Sequence, residues 1–233
     1  IPTGLHHALN NVFWFDTIGL GDLKHFWAGE TSADVGWDLG MYMSGFFPCM
    51  MFGIPGAALA MVRTAKNKKA AIGLVVSAAI CAFVCGVTEP FEFGFMFLCF
   101  PLYVVYAALY GIFTIITYYS GFRAGFCFSA GATDLVFSAS LPAAAKTWMI
   151  IPLGIAAFLV FYFVFYFAIT KFDLKTPGRE DDDVEESEKN IKLSNNNYTA
   201  IATGVLAAVG GKENITGADY CATRLRLEVK DSS

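Results

Sequence analysis

Charged residues are scarce in this chain of 233 residues: Asp, Glu, Lys and Arg make up 15% of it. An ordinary soluble domain carries roughly a quarter, so the shortage excludes a soluble protein over most of the length. A metal signature is lacking as well. The six cysteines and three histidines form no CxxC pair and no cluster at metal-ligand spacing. Cys49, Cys81, Cys85, Cys99 and Cys127 lie in apolar segments, and Cys81 and Cys85, one helical turn apart, read as small core residues; only Cys221 has polar neighbours. Nor is there a basic surplus for nucleic acid. The net charge is −4, and Arg179 to Lys189 alone, with seven acids against two bases, carries −5. The rest is close to neutral. Ile1 is neither a start methionine nor part of a signal peptide. The chain opens inside an apolar motif and stops in a strand-to-loop passage, so the expectation is a piece cut at both ends.

What is abundant is apolar sequence. Hydrophobic residues make up 56% of the chain, 23 of them phenylalanine, and the mean hydropathy is +0.53. Five apolar stretches follow one another: Met41 to Val62, Ala70 to Val87, Phe91 to Tyr119, about Phe126 to Leu141, and Trp148 to Thr170. All but the fourth have the length of a bilayer span. The basic loop from Arg63 to Lys69 is expected on the cytoplasmic side. If the acidic segment after Lys171 is cytoplasmic too, an even number of crossings separates the two. The short run Ser129 to Asp134, rich in Gly and Ala, is the candidate for broken backbone lining a cavity.

From Lys171 to Asn197 proline, glycine, acids and asparagines give a linker with no core to bury. After it, Tyr198 to Val209 reads as an amphipathic helix ending at Gly210-Gly211. Cys221 to Val229 reads as a strand, with Leu225, Leu227 and Val229 alternating against Arg224, Arg226 and Glu228. Such a short tail buries too little surface to fold alone, so more sequence is expected beyond it.

Three places carry chemistry. In Asp219-Tyr-Cys-Ala-Thr-Arg-Leu-Arg226 a thiol precedes two arginines whose strand spacing puts them on one face. Two guanidiniums there suit a phosphorylated cysteine and favour its thiolate. The octet equally suits a half-buried strand with a buried cysteine and solvated arginines. Gly86-Val-Thr-Glu-Pro-Phe-Glu-Phe93 places Glu89 and Glu92 between apolar runs. A carboxylate at membrane depth is expected to face a cavity, the alternative being an interfacial loop, and Pro90 is expected to end a helix there. The opening, Gly4-Leu-His-His7 through Asp16, groups histidines, asparagines and aromatic rings. Planar polar groups and ring faces suit a pyranose, although an interior histidine pair within an interfacial aromatic belt fits as well.

Taken together, these segments resemble the sugar permeases of the bacterial phosphoenolpyruvate-dependent phosphotransferase system, glucose and N-acetylglucosamine branch. Gly4-Leu-His-His7, Gly86-Val-Thr-Glu-Pro90 and Phe128-Ser-Ala-Gly131 look like signatures of the membrane C domain. Asp219 to Arg226 looks like the phosphorylation motif of the B domain. The wording of Leu5 to Asn10 and Val12 to Asp16 is closer to the N-acetylglucosamine permeases.

The resemblance implies a mainly α fold: a polytopic helical membrane domain over residues 1–171, a linker over 172–197, and a truncated α/β B domain over 198–233. It implies that a phosphoryl group passes from a histidine of an A domain or protein to Cys221, and then to the sugar's 6-hydroxyl. Phosphoenolpyruvate is the ultimate donor, with no bound cofactor and no metal. Arg224 and Arg226 would assist the transfer while Asp219 and Thr223 shape the loop. His6 and Glu89, with His7 and Thr88 beside them, would hold the sugar. The implied partners are the A-domain donor, the sugar, membrane lipid and a second copy of the chain, which dimerises through an N-terminal half preceding Ile1. The implied location is the bacterial inner membrane, multi-pass, with the B part cytoplasmic. A plain sugar transporter with a sensing tail, and a receptor passing phosphate to another protein, are the rival expectations.

Overall fold

The computed structural model describes residues 6–179, 198–221 and 224–230. The chain divides into two compact units, Ile1–Arg179 and Glu180–Ser233. In the first, a short helix α1 (His6–Phe13) leads through α2 (Asp22–Trp27) and α3 (Ser32–Val35) to the apolar helices. These are α4 (Phe46–Thr64) and α5 (Ile72–Cys85), α6 (Glu89–Met96) and α7 (Phe100–Ser120). A seven-residue helix α8 (Ala132–Ser138) and α9 (Thr147–Phe172) complete the unit. Among the described residues three helices, α4, α7 and α9, are long and apolar enough to cross a membrane.

Proline sets much of this architecture. Pro48 and Pro55 withdraw two donors from α4, and the helix widens into a π turn over Cys49–Gly53, where the Ile54 N–H bonds the Cys49 carbonyl. Pro101 explains why the stretch from Phe91 to Tyr119 is two helices and not one. The chain breaks at Phe97–Cys99 and restarts with Pro101 in the first turn of α7, where a missing N–H costs nothing. Pro90 behaves the same way. Against expectation it opens α6 and does not end a helix; α5 has already stopped at Cys85, with Gly86 at φ 73. The fourth apolar stretch is not a span either. Residues 121–131 are irregular, and only Ala132–Ser138 coil.

The core of this unit is aromatic. Ile54, Phe95, Phe161 and Phe165 are fully buried where α4, α6, α7 and α9 meet. The approach of α4 to α9 depends on Gly56, since a Cβ there would lie 2.4 Å from the Phe158 carbonyl oxygen. A second cluster around Phe26, Phe47, Phe122 and Phe126 closes the end that carries α1 to α3. Cys49 and Cys99 are buried, whereas of the two cysteines read as core residues Cys81 is half-buried and Cys85 is exposed. Residues 173–179, at the start of the expected linker, fold back on the unit. The Lys66 and Asn67 N–H groups both bond the Gly178 carbonyl at 2.9 Å, and Arg179 donates to the Thr64 carbonyl at 2.7 Å.

The second unit holds α10 (Tyr198–Ala208) and an antiparallel hairpin of β1 (Ile215–Cys221) and β2 (Arg224–Val229). Gly210 and Gly211, both at positive φ, end the helix. The strand expected from Cys221 to Val229 is instead two strands. Cys221 closes the first and Arg224 opens the second. The acidic run 180–189 and Thr223 lie outside the described residues.

Candidate functional site

Four segments far apart in sequence meet at one cavity of about 480 Å³ in the helical unit, a size within the usual range for a small-molecule site. From the opening come Leu9, Asn10, Phe13 and Trp14. The start of α4 and the residues before it give Tyr42, Phe46 and Met50. The turn into α6 gives Gly86, Thr88 and Glu89, and the irregular segment before α8 gives Ser129. Rings form one part of the wall, and an amide, two hydroxyls and a carboxylate form another.

The ring wall is held by hydrogen bonds and ring contacts. Trp14 Nε1 donates to the Tyr42 carbonyl at 3.1 Å, and its ring meets Phe46 and Phe126 edge-on at 5.5 and 4.9 Å. Tyr42 is held in turn: its N–H donates to Asp22 Oδ2 at 3.0 Å, and the Gly40 N–H donates to Oδ1 at 2.6 Å. Burial raises the Asp22 pKa to about 6, although these two backbone bonds and nearby Arg123 pull the other way. Arg123 is itself buried. It bonds the Asp38 carboxylate and donates to the Phe122 and Tyr118 carbonyls, closing the end of α7.

The turn before α6 sets the polar wall. Thr88 is buried and Glu89 exposed to the cavity at the first turn of α6. Glu92, one turn further, is a different case. It is 4% exposed and its Oε1 accepts from the Tyr106 hydroxyl at 3.0 Å, so it ties α6 to α7 and is not a cavity group. Among the described residues its Oε2 has no hydrogen-bond partner.

His6 and His7 belong to α1. The helical period places His6 on the stripe shared by Asn10 and Phe13, both of which line the cavity. In the hairpin, register sets Asp219 opposite Arg226 and Cys221 opposite Arg224. Since facing positions of a ladder share a side, and so do alternate positions, these four residues occupy one face. The side chains of His6, His7, Asp219, Cys221, Arg224 and Arg226 lie outside the described part of the structure.

The structure thus brings Thr88 and Glu89 together with Asn10, Trp14, Tyr42 and Ser129, four positions that reading residue by residue did not select. Asn10 and Trp14 stood inside a motif already singled out, and Ser129 opened the run expected to line a cavity. Tyr42 gave no signal, because its place depends on the contact with Trp14. A helical membrane protein with a ligand-sized cavity, partly aromatic and partly polar, followed by a small α/β segment: that is the class these features define.

Comparison with known proteins gives the family. Residues 1–111 match the family "Phosphotransferase system, EIIC", and residues 203–233 match "phosphotransferase system, EIIB". Over its full length the chain is 48% identical to the PTS system N-acetylglucosamine-specific EIICB component of Bacillus subtilis, of which it covers 50%. It is 47% identical to the N-acetylglucosamine-specific EIICBA component of Klebsiella pneumoniae, covering 37% of it. It is 40% identical to the glucose-specific EIICBA component of Staphylococcus carnosus, covering 35%. The chain belongs to the phosphotransferase-system family of EIIC and EIIB components. It spans half or less of the length of these relatives.

Proposed function

We propose that the chain is the sugar-carrying and relay part of a permease that imports N-acetylglucosamine and phosphorylates its 6-hydroxyl on entry. The observation that carries this reading is the convergence of the opening motif, the Gly86 to Glu89 turn and Ser129 on one cavity. Ring faces cover the C–H side of a pyranose, while Asn10, Thr88, Glu89 and Ser129 match its hydroxyls. His6 and His7, on the helix that carries Asn10, complete the sugar site.

The transfer runs in two steps. The N–P bond of a phosphohistidine on the A domain or protein breaks as the Cys221 thiolate forms an S–P bond; phosphoenolpyruvate supplies that phosphoryl group upstream. The sugar's O6 then attacks phosphorus, the S–P bond breaks, the thiolate leaves, and Glu89 receives the O6 proton. Such a transfer passes through a loose transition state in which alignment and charge stabilisation do most of the work. Arg224 and Arg226 share the face of Cys221 and supply that charge, while Asp219 and Thr223 shape the turn around it. The division into a membrane domain over 1–171, a linker over 172–197 and a B segment over 198–233 belongs to the same reading. So do a multi-pass bacterial inner-membrane location, a cytoplasmic B segment and a homodimer, which crosslinking of the full-length protein in membranes would check.

The test incubates full-length protein with the phosphorylated A-domain donor and a panel of hexoses. N-acetylglucosamine 6-phosphate should form fastest. Preferential glucose 6-phosphate would move the substrate to that of the Staphylococcus carnosus relative, named glucose-specific. No sugar phosphate at all, with Cys221 phosphorylated, would contradict the reading.

A further inference from the structure

The segments 84–89 and 127–134 are joined by bonds that the transfer chemistry does not use. Asp134, with 9% of its surface exposed, receives three backbone donors on one oxygen. The N–H groups of Cys127, Phe128 and Ser129 reach its Oδ2 at 3.1, 2.9 and 2.9 Å. Consecutive donors converging on a single atom curl this stretch into a tight turn. From that turn Ser129 Oγ donates to the Gly86 carbonyl at 2.8 Å, and Thr133 Oγ1 donates to the Val84 carbonyl at 3.1 Å. Both acceptors lie at the end of α5, where carbonyls have no partner within the helix. The two backbones touch. A Cβ on Gly131 would lie 2.5 Å from the Gly86 nitrogen, and one on Gly86 would lie 2.8 Å from the Ala130 nitrogen.

We infer that Asp134 is a positioning residue for the sugar site. It gathers the 127–129 turn, the turn presents Ser129 to Gly86, and Gly86 begins the segment that carries Thr88 and Glu89 into the cavity. Asp134 does not line the cavity and touches no substrate; it sets the spacing between two polar parts of the wall. A carboxylate suits this because it only accepts, and charge-assisted bonds to N–H groups are the stronger kind. Asparagine keeps the shape but brings an amide that can turn its own donors towards the turn. The inference rests on the reading of the cavity as a sugar site.

The experiment compares full-length wild type with Asp134→Asn and with the milder Thr133→Val, in membranes. It reads amide hydrogen exchange across 127–131, the KM and kcat for N-acetylglucosamine, and donor-driven phosphorylation of Cys221. Expected in Asp134→Asn are exchange faster by about tenfold and a KM raised by about tenfold, the scale of one weakened charge-assisted bond. Cys221 phosphorylation should stay within about twofold, since that step does not use the cavity, whereas kcat should fall as well, because a displaced Glu89 accepts the O6 proton less readily. Thr133→Val should move exchange and KM the same way by a smaller factor, and it carries the test if Asp134→Asn does not accumulate. Unchanged exchange, or faster exchange with an unchanged KM, overturns the inference. A wild type that neither binds nor phosphorylates the sugar, with exchange still faster in the variant, refutes the proposed function and the inference with it.

Discussion

Glu89 and Glu92 stand three residues apart on α6, and their surroundings assign them different work. Glu89 opens onto the cavity, whereas Glu92 is bonded to Tyr106 within the aromatic core. Replacing Glu89 by Gln should therefore raise the KM for N-acetylglucosamine by roughly tenfold to a hundredfold, the range for a lost charged hydrogen bond, and lower kcat by about a hundredfold or more through loss of the O6 proton acceptor, while Cys221 is phosphorylated as before. An unchanged sugar affinity would remove Glu89 from the site. Asp22 makes a prediction of another kind. Its folded pKa of about 6 lies above the ordinary value of 3.8 because of burial. The folded state thus holds this proton more tightly than the unfolded one. The stability it contributes is complete below 3.8 and is lost as pH rises through about 6. Thermal unfolding of wild type and Asp22→Asn, compared from pH 4 to 7, should show the wild type's advantage shrinking as pH rises. A difference that stays constant with pH would refute this.

At the scale of elements, glycine decides how closely helices approach. Gly56 faces the backbone of α9 with no room for a methyl, whereas a Cβ on Gly111 would meet nothing within 4 Å. Gly56→Ala should destabilise the protein by about 1–3 kcal/mol through overpacking, and Gly111→Ala should be near neutral. Unfolding in detergent measures both, and equal effects would contradict the packing described. The long apolar helices were legible in sequence because composition alone separates them from soluble protein. Some interruptions were legible, such as Pro48 and Pro55 in the first stretch, and others were not. A stretch such as Phe91 to Tyr119 is apolar on average, and a single Pro101 divides it. The hairpin escaped for a related reason: Ala222 and Thr223, between its strands, carry none of the Gly or Asn that marks a tight turn. The motifs that line the cavity could be picked out by their polar residues in apolar sequence. Tyr42 could not, because its place depends on a partner brought near only by folding, and for Asp134 the sequence marked the run it ends but not its three backbone donors.

At the scale of the whole molecule, the chain joins a helical membrane unit containing a cavity to a small α/β unit whose hairpin sets a cysteine opposite an arginine. The account requires that what is loaded on the second unit be spent on a sugar held in the first. Mass spectrometry of Cys221 in the full-length protein, charged with the A-domain donor and then given N-acetylglucosamine, tests that requirement most directly. A phosphate should appear on the Cys221 sulfur and vanish as the sugar 6-phosphate forms, and neither event should occur in Cys221→Ser. A thiol that never carries phosphate, or one whose phosphate persists while sugar phosphate accumulates, would contradict it.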